Sequence, residues 1–188
     1  MAENEEIKRG FRNVIIEKIS DERLDLPIVP NLAYATNGSA GFDLRAYLHK
    51  DLYDVVEGQL KDGFKTYVSS NNIDGTFSIT IYPEGRCLVK TGIKIQIPYK
   101  HELQIRPRSG LAFIEGITLL NSPGTLDSDY RGDIGIILIN HSNKEVIINH
   151  GDRIAQGILA KYEKANFISG KVNDTKRGTG GFGHTGKN

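Results

Sequence analysis

The segment Asp127-Ser128-Asp129-Tyr130-Arg131-Gly132-Asp133 brings three carboxylates, a guanidinium and a phenol into one short turn-like stretch. Charge that dense beside a strand of the core usually has a chemical task. A solvated loop with Asx-type bonds to its own backbone would use the same residues, so the segment by itself leaves both readings open. The apolar run Ile134-Gly135-Ile136-Ile137-Leu138-Ile139 follows at once and reads as a strand, which puts the polar group at the mouth of a sheet.

Two further segments have the composition of anion sites. Arg177-Gly178-Thr179-Gly180-Gly181-Phe182-Gly183-His184-Thr185-Gly186 combines glycines, an aromatic and a cation. Glycine backbone can wrap N–H groups around phosphate oxygens, Arg177 adds a bidentate donor, and Phe182 offers a face on which a base can stack. A Gly-rich chain end buries little apolar surface, so order is expected there only around a ligand. In Arg106-Pro107-Arg108-Ser109-Gly110-Leu111-Ala112-Phe113 an extended dipeptide gives way to a stretch with helical potential. Ser109 is placed to cap that turn while its hydroxyl and the adjacent N–H groups face an anion beside Arg108.

Strands must carry these groups. Val14–Ile19, Phe42–Leu48, Thr76–Tyr82, Arg86–Ile97, Glu102–Arg106, Ile134–Ile139, Glu145–Ile148 and Asp152–Tyr162 all read as strands, punctuated by Gly, Pro, Asn and Asp. Phe42 and Leu44 fall on one face of theirs, Asp43 and Arg45 on the other. The turn into the last strand, Gly151-Asp152-Arg153-Ile154-Ala155-Gln156, adds Arg153 and Gln156. Many short strands with turns between them predict an all-β sandwich or jelly roll.

Lys+Arg 24 against Asp+Glu 23 leaves a net charge of +1, which disfavours a polymeric nucleic acid as partner. A single nucleotide needs only a local cluster of cations. The one cysteine, Cys87, forms no internal disulfide and belongs to no zinc-ligand spacing. The acidic start Met1-Ala2-Glu3-Asn4-Glu5-Glu6 is unlike a secretory signal, and no apolar run approaches the length of a membrane span, so a cytoplasmic protein is expected.

Five of these segments, in order, resemble the motifs of the trimeric deoxyuridine triphosphatase (dUTPase) family. They are Ala40–Ala46 (AGxDLxA), Arg106–Ala112 (RxSGLA), Gly124–Ile134 (GxIDxDYRGxI, with Leu126 for the usual isoleucine), Gly151–Gln156 (GDRIAQ) and Arg177–Gly186 (RGxGGFGxTG). The resemblance implies a dUTPase-like β jelly roll of the β-clip type, assembled as a homotrimer with shared active sites. It implies a core over residues 1–165, interrupted by an inserted segment at about 50–78, and a C-terminal arm over 166–188. The implied reaction is hydrolysis of dUTP to dUMP and pyrophosphate by water attack on the α-phosphorus. Such activity limits uracil incorporation into DNA and supplies dUMP for dTMP synthesis.

Carried over position by position, the resemblance makes Asp127 the general base, while Asp129 braces the turn or the trimer. Arg108, Ser109, Gly110, Gln156, Arg177, Gly180, Gly181, Phe182 and Gly183 become phosphate-binding residues. Asn121, Gly124, Leu126, Tyr130 and Phe182 become the uracil and deoxyribose contacts. Mg²⁺ is implied through the substrate phosphates, with Asp43 as a candidate outer-shell residue or the partner of an arginine. His184 departs from the family pattern, which usually has a small hydroxyl residue there. The alternatives are a dCTP deaminase or bifunctional deaminase on the same fold, using Glu115, and a nucleotide-responsive regulatory protein whose inserted segment holds a protein partner. For that segment an elaborated surface hairpin or loop is the simpler expectation.

Overall fold

The computed structural model describes residues 12–19, 28–50, 55–56, 59–60, 66–71 and 76–181, and for the strands between 55 and 71 it describes the backbone. The strands are β1 (Ile15–Lys18), β2 (Phe42–Arg45), β3 (Val55–Val56), β4 (Gln59–Leu60), β5 (Thr66–Asn71), β6 (Phe77–Ile81) and β7 (Arg86–Gln96). They continue with β8 (His101–Arg106), β9 (Ile117–Leu119), β10 (Gly124–Leu126), β11 (Asp133–Asn140), β12 (Val146–Asn149) and β13 (Arg153–Lys161). The described strands pair antiparallel in three sheets, ordered β1-β7-β11-β9, β10-β8-β13-β2 and β12-β6-β5-β4-β3. This is the all-β jelly-roll architecture that the strand pattern predicts.

Alternation explains which side chains face inward. In β7, Cys87, Val89, Ile93 and Ile95 are buried, while in β8 Leu103 and Ile105 are buried and the residues between them are not. Together with Leu44, Ile134, Ile136, Leu138 and Ile154 they form one contiguous core. Truncating a fully buried member such as Leu103 or Ile134 to alanine costs about 2–5 kcal/mol, through lost burial and the cavity left behind. Asn140 is also fully buried, and its amide closes a turn. It donates to the Ile81 and Lys144 carbonyls, both at 2.8 Å, and accepts from the Ser142 N–H and hydroxyl.

Two differences from the expected strands concern β2 and the pair β9 and β10. β2 ends at Arg45, because the main chain of Ala46 and Tyr47 turns to bond Asp152 and Lys90 instead. β9 and β10, absent from the strands expected from the sequence, form short strands against β11 and β8. The inserted segment, expected as a surface hairpin or loop, contributes β3, β4 and β5, which pair antiparallel outward from β6. Among the described residues no helix is long and apolar enough to cross a membrane. Beyond β13 the chain from 162 to 181 has no strand or helix, and Phe167, Ile168 and Val172 are exposed.

Candidate active site

The sheet of β10, β8, β13 and β2 has an apolar face on the core and a polar face that carries Asp43 and Gln156, with most of the other candidate residues in the turns at its ends and in the arm. On the polar face Gln156 stands opposite Arg106 on one side and Asp43 on the other. Beyond this end of the sheet, Arg108, Ser109 and Gly110 turn back over it, and with Gly41, Asp43 and Gln156 they line a cleft of about 360 Å³. The Gln156 amide donates to the Pro107 carbonyl at 2.9 Å, which ties the turn to β13. Gly41 leaves room for that amide, since a Cβ there would come within 2.8 Å of Gln156 Oε1.

Asp43 bridges two guanidinium groups, with Oδ1 at 3.2 Å from Arg108 Nε and Oδ2 at 3.2 Å from Arg153 Nη1. Arg108 Nη1 also donates to the Arg153 carbonyl at 3.0 Å. One carboxylate between two arginines leaves the cleft net positive, and the planar forks are suited to phosphate oxygens. Of the two roles open to Asp43, the geometry gives it the arginine pairing. Ser109 is exposed on the cleft but does not cap the π-helical turn Leu111–Glu115, which begins at Gly110 with no side-chain cap bond.

Asp127 follows β10 and lines a different cleft, of about 350 Å³, with Glu102, Ser128, Asp129, Tyr162 and Lys164. Glu102, Tyr162 and Lys164 escaped the sequence reading; only the register of β8 against β10 and β13 brings them there. Arg131 braces the turn, donating from Nη1 to the Ser128 and Tyr130 carbonyls at 2.8 Å each, the job that the sequence reading offered to Asp129. The Tyr130 hydroxyl donates to the Asp133 carbonyl at 3.1 Å, and its ring is partly exposed. Asn121 packs its amide over Gly124, and the Ser122–Pro123 peptide between them is cis. Leu126 packs partly against the core. Burial pushes the Asp133 carboxyl above the usual carboxylate range, opposed by hydrogen bonds from Thr91 and Ile93.

The two clefts lie apart on the sheet. Leu126 is opposite Leu103, so Asp127 stands level with Glu102 on the edge strand, whereas Asp43 is on the opposite edge, level with Arg106. Three strand spacings across and four residues along separate Asp127 from the Asp43–Arg108 pair by about 20 Å. In the arm, Arg177 Nε donates to the Gly180 carbonyl at 2.8 Å, and Gly180 and Gly181 lie in the same exposed tail. Phe182, Gly183 and His184 lie outside the described residues. Among the described residues no cluster of three or more His, Cys, Asp or Glu side chains fits a metal ion, and Asp43 is taken up by its arginines. No metal ligand is assigned.

Residues 73–186 match the dUTPase family model. A curated relative from Finegoldia magna, deoxyuridine 5'-triphosphate nucleotidohydrolase, is 47% identical over 154 residues, 81% of this chain and 89% of the relative. Among solved structures, a mutant dUTPase of Staphylococcus bacteriophage 80alpha with dUpNHpp superposes with a TM-score of 0.66 at 15% identity, covering 94% of this chain and 99% of that one. A mutant dUTPase from phage phi11 of S. aureus, described for its coordination of a structural Mg(II) ion, does so with a TM-score of 0.62 at 13% identity over 87% and 100%. The phage structures share the fold, the family match contains Arg108, Asp127, Gln156 and most of the arm, and the curated relative is 47% identical over 81% of the sequence: the chain belongs to the dUTPase family.

Proposed function

We propose that the chain hydrolyses dUTP to dUMP and pyrophosphate. Membership of the dUTPase family, over a match that contains Arg108, Asp127, Gln156 and Arg177, carries this reading. In the reaction a water oxygen bonds to the α-phosphorus, the bridging bond to the β-phosphate breaks, and pyrophosphate leaves. Asp127 holds the water in line and takes its proton. Phosphoryl transfer is limited mainly by positioning and charge stabilisation, so even an ordinary carboxylate serves. The net-positive cleft of Arg108, Ser109, Gly110 and Gln156 holds the phosphates, and Tyr130, Asn121, Gly124 and Leu126 face the deoxyuridine.

A base and a phosphate clamp that act on one α-phosphate cannot stand about 20 Å apart. We therefore infer that each site is shared between copies of the chain in a homotrimer. One copy supplies the Arg108 cleft, a second supplies the turn with Asp127 and Tyr130, and a third lends the arm of residues 166–188. Arg177, Gly180, Gly181, Phe182 and Gly183 then close over the phosphates and exclude water. Magnesium enters with the triphosphate, whose charge it offsets, and the proposed compartment is the cytoplasm. The deaminase alternative is not favoured: the family and the curated relative both point to dUTP cleavage.

The test of the base is Asp127→Asn. It should bind dUTP nearly as wild type while turnover falls by about 10²–10⁴-fold. Wild-type turnover in that variant would remove the assignment.

A further inference from the structure

We propose that Asp133 is a positioning residue for Tyr130, setting the sugar-facing ring through the main chain without touching nucleotide; this rests on the reading of Tyr130 given above. The pairing of β7 with β11 is interrupted at this point. Asp133 pairs with Lys94 and Gly135 with Lys90, so three residues of β7, Thr91, Gly92 and Ile93, face the single residue Ile134 of β11 and form a bulge. Gly92 adopts a φ of 70° in the bulge. Backbone N–H groups that lose a strand partner in the interior need another acceptor. Asp133 Oδ1 provides it, accepting from the Thr91 N–H, the Ile93 N–H and the Thr91 hydroxyl at 3.3 Å each.

The same residue holds Tyr130 from its other side. Its carbonyl accepts the Tyr130 hydroxyl at 3.1 Å. The hydroxyl end of the ring lies over Gly132, where an added Cβ would clash with Tyr130 Oη and Cζ. Ring, glycine and carbonyl thus move together, and the carboxylate on the β7 bulge is the anchor that fixes them to the core. Among the described residues Asp133 Oδ2 is buried with no hydrogen-bond partner, and burial raises the pKa of the carboxyl, so the group is held in place at a cost. A site that rejects an added ribose hydroxyl by lack of room depends on ring placement at the sub-ångström level.

The experiment measures the ratio of kcat/KM for dUTP over UTP in wild type, Asp133→Ala, Asp133→Asn, Tyr130→Ala and the Asp133→Ala/Tyr130→Ala pair, each checked for folding by thermal melting. Asp133→Ala should lower the ratio about tenfold and add nothing further in the Tyr130→Ala background. Asp133→Asn keeps an acceptor at Oδ1 and should restore the ratio. If Asp133→Ala does not fold, Asp133→Glu replaces it: the longer side chain displaces the main chain and should lower the ratio while Asp133→Asn does not. An unchanged ratio in folded Asp133→Ala or Asp133→Glu, with Tyr130→Ala altered, overturns the positioning role alone. An unchanged ratio in Tyr130→Ala overturns the reading of Tyr130, and this proposal with it.

Discussion

Chains carrying Asp127→Asn and chains carrying Arg108→Gln, each expected to be inactive alone, should regain activity when they assemble together. The expectation comes from the register of one sheet, which holds Asp127 level with Glu102 on one edge and the Asp43–Arg108 pair level with Arg106 on the other. At about 20 Å, the two groups of one chain cannot serve the same phosphorus. In an equal, random mixture a working site needs its Asp127 from an Arg108→Gln chain and its Arg108 from an Asp127→Asn chain. Each condition is met half the time, so about one quarter of the sites in closed symmetric assemblies should recover. The assay is pyrophosphate release after the two variants are unfolded and refolded together, beside each refolded alone. If sites lay within single chains, no chain of the mixture would hold both residues, and a mixture as inactive as its parents would refute the reasoning.

Removing residues 177–188 should leave melting temperature and oligomeric state unchanged while kcat falls at least tenfold, because Arg177 contacts only its own tail among the described residues; equal kcat would dismiss the lid. Chelating magnesium should abolish turnover without lowering the melting temperature, since no protein cage for the ion is found among the described residues; a large drop in melting temperature would reveal a structural ion. Burial raises the folded pKa of Asp133 above its unfolded value, so its contribution to stability is full below the unfolded value and is lost as pH rises through the folded one. Going from about pH 4 to about pH 7, the melting temperature of wild type should therefore fall relative to that of Asp133→Asn. A constant difference would mean that the carboxyl titrates normally.

The strands that alternate cleanly were legible in the sequence. β7 and β11 read correctly to within a residue, because β-branched residues recur on one face of each. β10 was not, because Gly124-Thr125-Leu126 has a glycine and too few residues for a period to show, and it becomes a strand only through its bonds to β8. The residue types of the site were legible as motifs, and the family resemblance implied that copies of the chain share each site, but the placing of the residues in two clefts was not legible from spacing. Spacing along the chain says nothing about which edge of a sheet a residue occupies, and Glu102 and Lys164 join Asp127 through pairing alone. Asp133 filled a variable position of a motif, and its role shows only against a bulge in a strand about forty residues away.

Hydrolysis of dUTP is decided by magnesium-dependent pyrophosphate release from dUTP, dTTP, dCTP and UTP offered in parallel to the full chain. Release from dUTP should be rapid, with dUMP as co-product, and at least about a hundredfold less from each of the others. Equal cleavage of all four, ammonia release from dCTP, or intact dUTP would contradict the proposed function.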